Sequence, residues 1–273
     1  MIVDAHHHVW DLSVRDQDWI PEHSPLRRDF TLADLAPEAR AAEVDRTVLV
    51  QTVTVAEETP EFLALADAHD LVAGVVGWTD LTHPGIAEEL ARLRELPGGA
   101  YLKGIRHQVQ SESDPGWLQR PDVRCGLRAV AEAGLVYDLV VVPHQLPSCV
   151  RAVGEHEDLV FVLDHLGKPA VASGVRGTWE CDIRAFGYHP NTVGKLSGLV
   201  TEAGAEWQAA DLRPYVDVAL ESFGVDRLMF GSDWPVCTEV ASYAQVLAAA
   251  EELTDPGDRD AIFEENAFRV YGL

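Results

Sequence analysis

The feature that most constrains this chain is an alternation that runs its whole length. Short apolar runs rich in Val, Ile and Leu recur at residues 2–6, 46–51, 72–78, 100–106, 136–142, 159–163, 192–196 and 227–230. Between them lie longer stretches, 32–42, 59–68, 85–96, 123–133, 212–223 and 243–253, rich in Ala, Leu, Glu and Arg. Such residues lose little side-chain freedom in a helix, whereas β-branched runs suit a strand covered on both faces. The connection around 179–188 is less clearly helical. A parallel strand pair needs a long crossover, usually a helix, so each run with its following stretch reads as one βα unit. Eight such units in 273 residues predict an α/β chain folded as a single (β/α)8 TIM barrel over 1–273, in preference to an open doubly wound sheet. No linker rich in Ser, Gly or Pro divides it.

Charge narrows the partners. With 21 Lys and Arg against 45 Asp and Glu, the formal net charge is −24. A field of that sign repels nucleic acids and anionic lipid, whose affinity comes largely from Lys and Arg displacing counterions, so neither is an expected partner. Cys125, Cys149, Cys181 and Cys237 form no C-x-x-C pair and read as reduced thiols. The first ten residues carry Asp4 and three histidines where a signal peptide would have a basic and then an apolar region. No apolar run approaches the roughly 20 residues of a membrane-spanning helix. A cytoplasmic protein is the expectation, with its oligomeric state open.

The chemistry-bearing residues cluster at the ends of the runs, where a barrel places its site. The first ends in Asp4-Ala5-His6-His7-His8; residues two apart share a strand face, so His6 and His8 can point together into the barrel mouth as half of a metal site. The fifth leads to Pro143-His144, the sixth to Asp164-His165-Leu166-Gly167-Lys168-Pro169 and the eighth to Gly231-Ser232-Asp233-Trp234-Pro235. Singly, each has a plainer role: a histidine bonded to a carbonyl, or an aspartate capping a helix. On the fourth run, Lys103 shares a face with Ile105 and Arg106 takes the other; a cation here binds a substrate oxygen or pairs with one of the many acids. Lys195 on the seventh is a weaker case of the same kind. Trp10 and Trp234 offer stacking faces or simple packing. His23, His69, His83, His156 and His189 lack this register and read as surface residues. The chain has no G-x-S-x-G elbow, phosphate loop or G-x-G-x-x-G, which removes the serine-hydrolase, P-loop and Rossmann readings. The segments 9–30, 108–121 and 168–188 would line the mouth.

In order, these motifs resemble those of the amidohydrolase superfamily, and within it the amidohydrolase-2 group that includes sugar lactonases, among them L-fuconolactonase and L-rhamnonolactonase, and 2-pyrone-4,6-dicarboxylate lactonase. The shared pieces are Asp4-Ala5-His6-His7-His8-Val9-Trp10-Asp11, Gly104-Ile105-Arg106-His107, Pro143-His144-Gln145-Leu146-Pro147, Leu163-Asp164-His165-Leu166-Gly167-Lys168-Pro169, Lys195-Leu196-Ser197-Gly198-Leu199, Phe230-Gly231-Ser232-Asp233-Trp234-Pro235 and the closing Asn266-Ala267-Phe268-Arg269-Val270-Tyr271. The resemblance covers nearly the whole chain and implies an amidohydrolase-type barrel. It implies that His6, His8, His144 and Asp233 stand where the superfamily has metal ligands, for one divalent ion with zinc foremost, or that these groups act without a metal, as in some lactonases of the group. It puts His165 beside the reacting group and makes Asp233 and His165 the catalytic pair, with Lys103, Arg106, Trp10 and Trp234 as substrate contacts. The implied activity is hydrolysis of a small-molecule lactone, a sugar-derived aldonolactone, by Asp233-assisted attack of water. The alternatives are a dicarboxylate lactonase, a metal-dependent decarboxylase or hydratase of the same superfamily and, from another class, a non-catalytic metal-binding barrel.

Overall fold

The computed structural model describes residues 1–273, and the expected barrel is present. Strands β1 (Val3–His7), β2 (Arg46–Val50), β3 (Val72–Gly77), β4 (Leu102–His107), β5 (Val136–Leu139), β6 (Phe161–Leu163), β7 (Thr192–Leu196) and β8 (Leu228–Phe230) pair in parallel in chain order. The seam between first and last is closed by His8 N–H to the Trp234 carbonyl at 2.7 Å and Asp233 N–H to the His6 carbonyl at 2.8 Å. Around the strands lie α1 (Leu32–Ala41), α2 (Glu58–Ala68), α3 (Ile86–Glu95), α4 (Pro121–Glu132), α5 (Leu146–Glu155), α6 (Trp179–Gly187), α7 (Leu199–Ala203), α8 (Ala209–Phe223), α9 (Tyr243–Leu253) and α10 (Asn266–Tyr271). The sixth connection does contain a helix, α6, which buries Trp179, Ile183 and Phe186 at helical spacing. No helix is long and apolar enough to cross a membrane.

The barrel interior has two unlike ends. Val3, Ala5, Val48, Val136, Val162, Val193 and Met229, contributed by early strand positions, pack with Ala267 and Tyr271 of α10, which plugs the amino-terminal mouth. Lys103 belongs to this floor. Between β3 and β4 the pairing goes from Val75–Leu102 to Val76–Gly104, so β4 carries one extra residue at Lys103. The Lys103 ammonium donates to the Gly272 carbonyl at 2.9 Å, at the end away from the strand-end histidines. The expectation that Lys103 contacts substrate is therefore corrected: strand alternation fixes a face, not a height in the barrel.

A second irregularity builds the site. Asp4 pairs with Thr47 and His7 with Leu49, three steps on β1 against two on β2, which marks a one-residue bulge. Strict alternation from Val3 and Ala5 would send His7 inward; the extra residue shifts the phase, so His6 and His8 enter the barrel and His7 turns out to Thr47 Oγ1 at 2.9 Å. The buried Asp4 carboxylate pins the bulge. It accepts from His6 N–H (3.1 Å), Ser232 N–H (2.8 Å), Ser232 Oγ (2.6 Å) and Tyr243 OH (2.9 Å), joining β1, the chain after β8 and α9. Beside it, a Cβ on Gly231 would lie 2.7 Å from His6 Cβ, so only glycine lets the strands approach there.

Two stability outcomes follow for denaturant unfolding. Tyr243→Phe removes one buried donor to Asp4 and is expected to cost about 1–3 kcal/mol. Gly231→Ala, which forces β8 away from His6, is expected to cost about as much or more. An unchanged midpoint for Tyr243→Phe would show that its bond to Asp4 adds nothing to the fold.

Candidate active site

At the carboxyl ends of the strands a cavity of about 80 Å³ is bordered by His8, Arg106, His165 and Asp233. The three irregular segments expected at the mouth all reach it: Trp19 from the first, Gln108 and Gln110 from the second, Lys168 from the third. Asp233, His165 and Lys168 hold left-handed backbone, with φ of 56°, 54° and 53°. That conformation costs a non-glycine residue of order 1–3 kcal/mol, and it persists where the surroundings fix it, commonly at functional sites.

His6 Nε2 and His8 Nε2 lie 3.1 Å apart. Asp233 Oδ1 is 3.7 Å from the first, 3.5 Å from the second and 3.8 Å from His165 Nε2. Hydrogen-bond partners assign the protons. His8 Nδ1 is 2.8 Å from the Val50 carbonyl, which only accepts, so a neutral His8 carries its hydrogen there and leaves a lone pair on Nε2. His6 Nδ1 lies 3.2 Å from Asp164 Oδ1 and 3.1 Å from Lys195 Nζ, an acceptor and a donor-only group, so its neighbours on that side do not fix the His6 tautomer. The His8 lone pair, His6 Nε2 and a carboxylate oxygen thus face one another, a set that can take up a cation when His6 carries its proton on Nδ1. Ligand atoms about 2.0–2.1 Å from a tetrahedral zinc ion stand about 3.3 Å from one another, close to the separations seen here. The donor set of His6, His8 and Asp233, with His165 alongside, fits a divalent ion, and Asp164 behind His6 supplies the supporting carboxylate such ligands usually have.

Electrostatics agree. Burial would raise the Asp233 carboxyl, but His165, the His8 hydrogen bond and His6 outweigh it and hold it well below the usual carboxylate range. Burial lowers His165 to about 4 and His6 well below the ordinary imidazole value. Near neutral pH His6 and His165 are neutral and Asp233 is an anion.

Beneath them lies a closed ion network. Lys195 Nζ, fully buried, is 2.6 Å from Asp138 Oδ2, 3.0 Å from Asp164 Oδ1 and 3.1 Å from His6 Nδ1. Tyr271 OH donates to Asp138 at 2.8 Å. Arg106 donates to Asp164 Oδ2 and to Gln51 Oε1, both at 2.9 Å. Burial raises Asp138 to about 6 against the pull of Lys195. The same burial acts on Asp164, but Lys195, His6 and Arg106 together keep it well below the usual range.

The structure thus brings together His6, His8, His165, Asp233 and Arg106, and corrects three further expectations besides Lys103. His144 is exposed in the turn Pro143–Gln145 and hydrogen-bonds to none of the group. β5 ends at Leu139, so the intervening residues carry His144 out to the start of α5. Trp10 is buried away from the cavity, its Nε1 donating to the Arg28 carbonyl at 2.7 Å and its ring edge-on to Phe30. Trp234 is likewise packed edge-on against Phe30. Sequence reasoning underrated Lys195 and missed Asp138, Asp164, Gln51 and Trp19. The available signal for Asp138 and Lys195 was a charge set among apolar neighbours in a strand, at positions that alternation turns inward.

The family profile described as Amidohydrolase (Amidohydro_2) matches residues 3–273. An L-fucono-1,5-lactonase of Burkholderia multivorans is 37% identical over 289 aligned residues, which cover 99% of this chain and 96% of that protein. An L-fucono-1,5-lactonase of Burkholderia ambifaria is 35% identical over 279 residues, covering 99% and 95%. A crystal structure of an amidohydrolase from Burkholderia multivorans with bound zinc superposes with a TM-score of 0.93 at 36% identity, covering 100% of this chain and 99% of that one. With the profile spanning the whole barrel and relatives more than one-third identical from end to end, the chain belongs to the amidohydrolase family.

Proposed function

We propose that this protein is a lactonase that opens the ring of a sugar-derived aldonolactone, with Asp233 accepting the proton of the attacking water. The observation that carries this reading is the convergence of an ionised Asp233 with His6, His8 and His165 at the base of the cavity. It is supported by the L-fucono-1,5-lactonases to which the chain is similar from end to end. A neutral sugar lactone is preferred to a dicarboxylate because the cavity borders hold only two cations, Arg106 and Lys168, and Arg106 is already engaged by Asp164 and Gln51.

A lactone is an activated cyclic ester, so opening it requires a proton acceptor for water and positive or donor groups at the developing oxyanion. Asp233 takes the water proton as the new C–O bond forms and returns it to the ring oxygen as the ring C–O bond breaks, leaving an open-chain hydroxy acid. Arg106, held by Gln51 beyond β2 and Asp164 beyond β6, sets positive charge at the cavity base toward the carbonyl oxygen. His165, whose Nδ1 is 2.8 Å from Ser197 Oγ, keeps Nε2 facing Asp233, where it holds the departing alkoxide. His6, His8 and Asp233 would hold a zinc ion, which when bound polarises a carbonyl and acidifies water.

In a pH-indicator assay over five- and six-membered aldonolactones, Asp233→Asn is expected to lose about 10²–10⁴-fold in kcat. Failure of the wild-type protein to accelerate any lactone in the panel would overturn the proposed activity. For the ligand set, His8→Ala is expected to lower both zinc affinity and kcat, while His144→Ala leaves both near wild type. Dialysis against a chelator is expected to abolish turnover and added zinc to restore it. Full turnover by metal-free protein would leave the imidazoles acting directly.

A further inference from the structure

Resting on the lactonase reading, we propose that Trp19 is a specificity-determining residue: the ring wall against which the C–H face of the substrate stacks. Its neighbours Trp10 and Trp234 were the aromatic candidates of the sequence, and both are consumed by packing. Trp19 is the one Trp, Tyr or Phe among the residues bordering the catalytic cavity, and it is 36% exposed, whereas Trp10, Trp117, Trp179 and Trp234 are buried.

Its exposure is held in place. The loop between β1 and α1 is clamped at its neck by paired bonds between Trp10 and Phe30, at 2.8 and 2.9 Å. Within it, Trp19 Nε1 donates to Gln17 Oε1 at 2.8 Å, and Gln17 is itself buried, its carbonyl accepting from Arg27 at 3.0 Å. The Trp19 ring meets Trp10 edge-on, with centroids 5.5 Å apart. A large aromatic side chain bordering the same cavity as His8 and Asp233 is therefore fixed in one orientation and left part-exposed, which lowers the ordering cost of binding. Beyond the catalytic groups, the remaining borders of the cavity are the polar Thr52, Gln108, Gln110 and Lys168 and the small apolar Val140 and Val236. One flat aromatic surface in a cavity otherwise bordered largely by donors and acceptors matches a ring with a C–H face and hydroxyls around its edge, the form of an aldonolactone.

The test compares Trp19→Ala, Trp19→Leu and Trp19→Phe on the aldonolactone that the wild-type protein opens best, together with calorimetric binding of the corresponding aldonate. Ala and Leu are expected to raise KM and weaken aldonate binding about tenfold, with kcat changed less than about threefold; Phe is expected to stay within about threefold of wild type in all three. Leu keeps an apolar side chain in the loop without a ring face, so a role in loop packing would group Leu with Phe, and that grouping overturns the proposal. So does a fall in kcat with KM and aldonate affinity unchanged. If the wild-type protein opens no aldonolactone, the functional reading itself fails and this inference falls with it; if it does, and the three variants match it, Trp19 alone is refuted.

Discussion

The buried ammonium of Lys195 is the constraint on which the barrel interior turns. A charge in a low-dielectric core is costly unless partners are fixed around it, and removing one partner of such a pair typically costs several kcal/mol. Here Asp138 on β5 and Asp164 beyond β6 supply the compensation, Tyr271 of α10 completes Asp138, and Arg106 of β4 completes Asp164 while binding Gln51 beyond β2. His6 of β1 touches the same centre. Members come from six of the eight strands or the residues just beyond them, so the network is satisfied in one strand register and penalises slippage. The polar cluster thereby does for the upper interior what valine packing does below it, and it leaves His6 with one nitrogen facing the network and the other facing His8 and Asp233.

The two bulges divide that interior into a floor and a working end. At Lys103 the extra residue leaves an ammonium among the floor groups while Gly104 and Arg106 stay in phase with the barrel. On β1 the extra residue lets Ala5 belong to the apolar floor and His6, next in sequence, belong to the site. Asp4 makes this switch stable because the four donors it accepts come from β1, from the turn that carries Asp233 and from α9. The positions of the histidines and of Asp233 are therefore set by one carboxylate that touches no part of the cavity.

Which parts of this were readable follows from the same physics. Eight apolar runs announced eight strands, since a parallel barrel strand is buried on both faces and its composition shows it. His6, His8, His165 and Asp233 were readable because they sit at strand ends, where a barrel gathers side chains from distant sequence. Lys103 and Lys195 were not separable by such reasoning. Both are lysines in apolar strands, and only the bulge in β4 and the height of each along its strand send one to the floor and the other to the centre. His144 was misplaced because Val140, Val141 and Val142 continue the apolar run after pairing stops at Leu139, so sequence alone extends β5 too far. The tryptophans failed for a related reason: which of Trp10 and Trp19 packs and which lines the cavity depends on how the 9–30 loop folds back through the Trp10–Phe30 neck, a pairing that no local pattern announces.

The charge of the whole molecule bears on the proposed reaction in a way the site alone does not. A protein of net charge −24 surrounds its cavity with a field that is indifferent to a neutral lactone but opposes an approaching anion. Ring opening turns the first into the second, because the product is a carboxylate. Lys168 attracts that carboxylate at short range, while the distributed charge repels it over about a Debye length, some 8–10 Å at ordinary ionic strength. Substrate then enters without an electrostatic barrier, and product, once past Lys168, moves down a potential gradient into solvent. An acidic surface around a sparsely cationic cavity thus suits an enzyme whose substrate is neutral and whose product is charged, and it disfavours a dianionic substrate, which would meet the same repulsion on the way in.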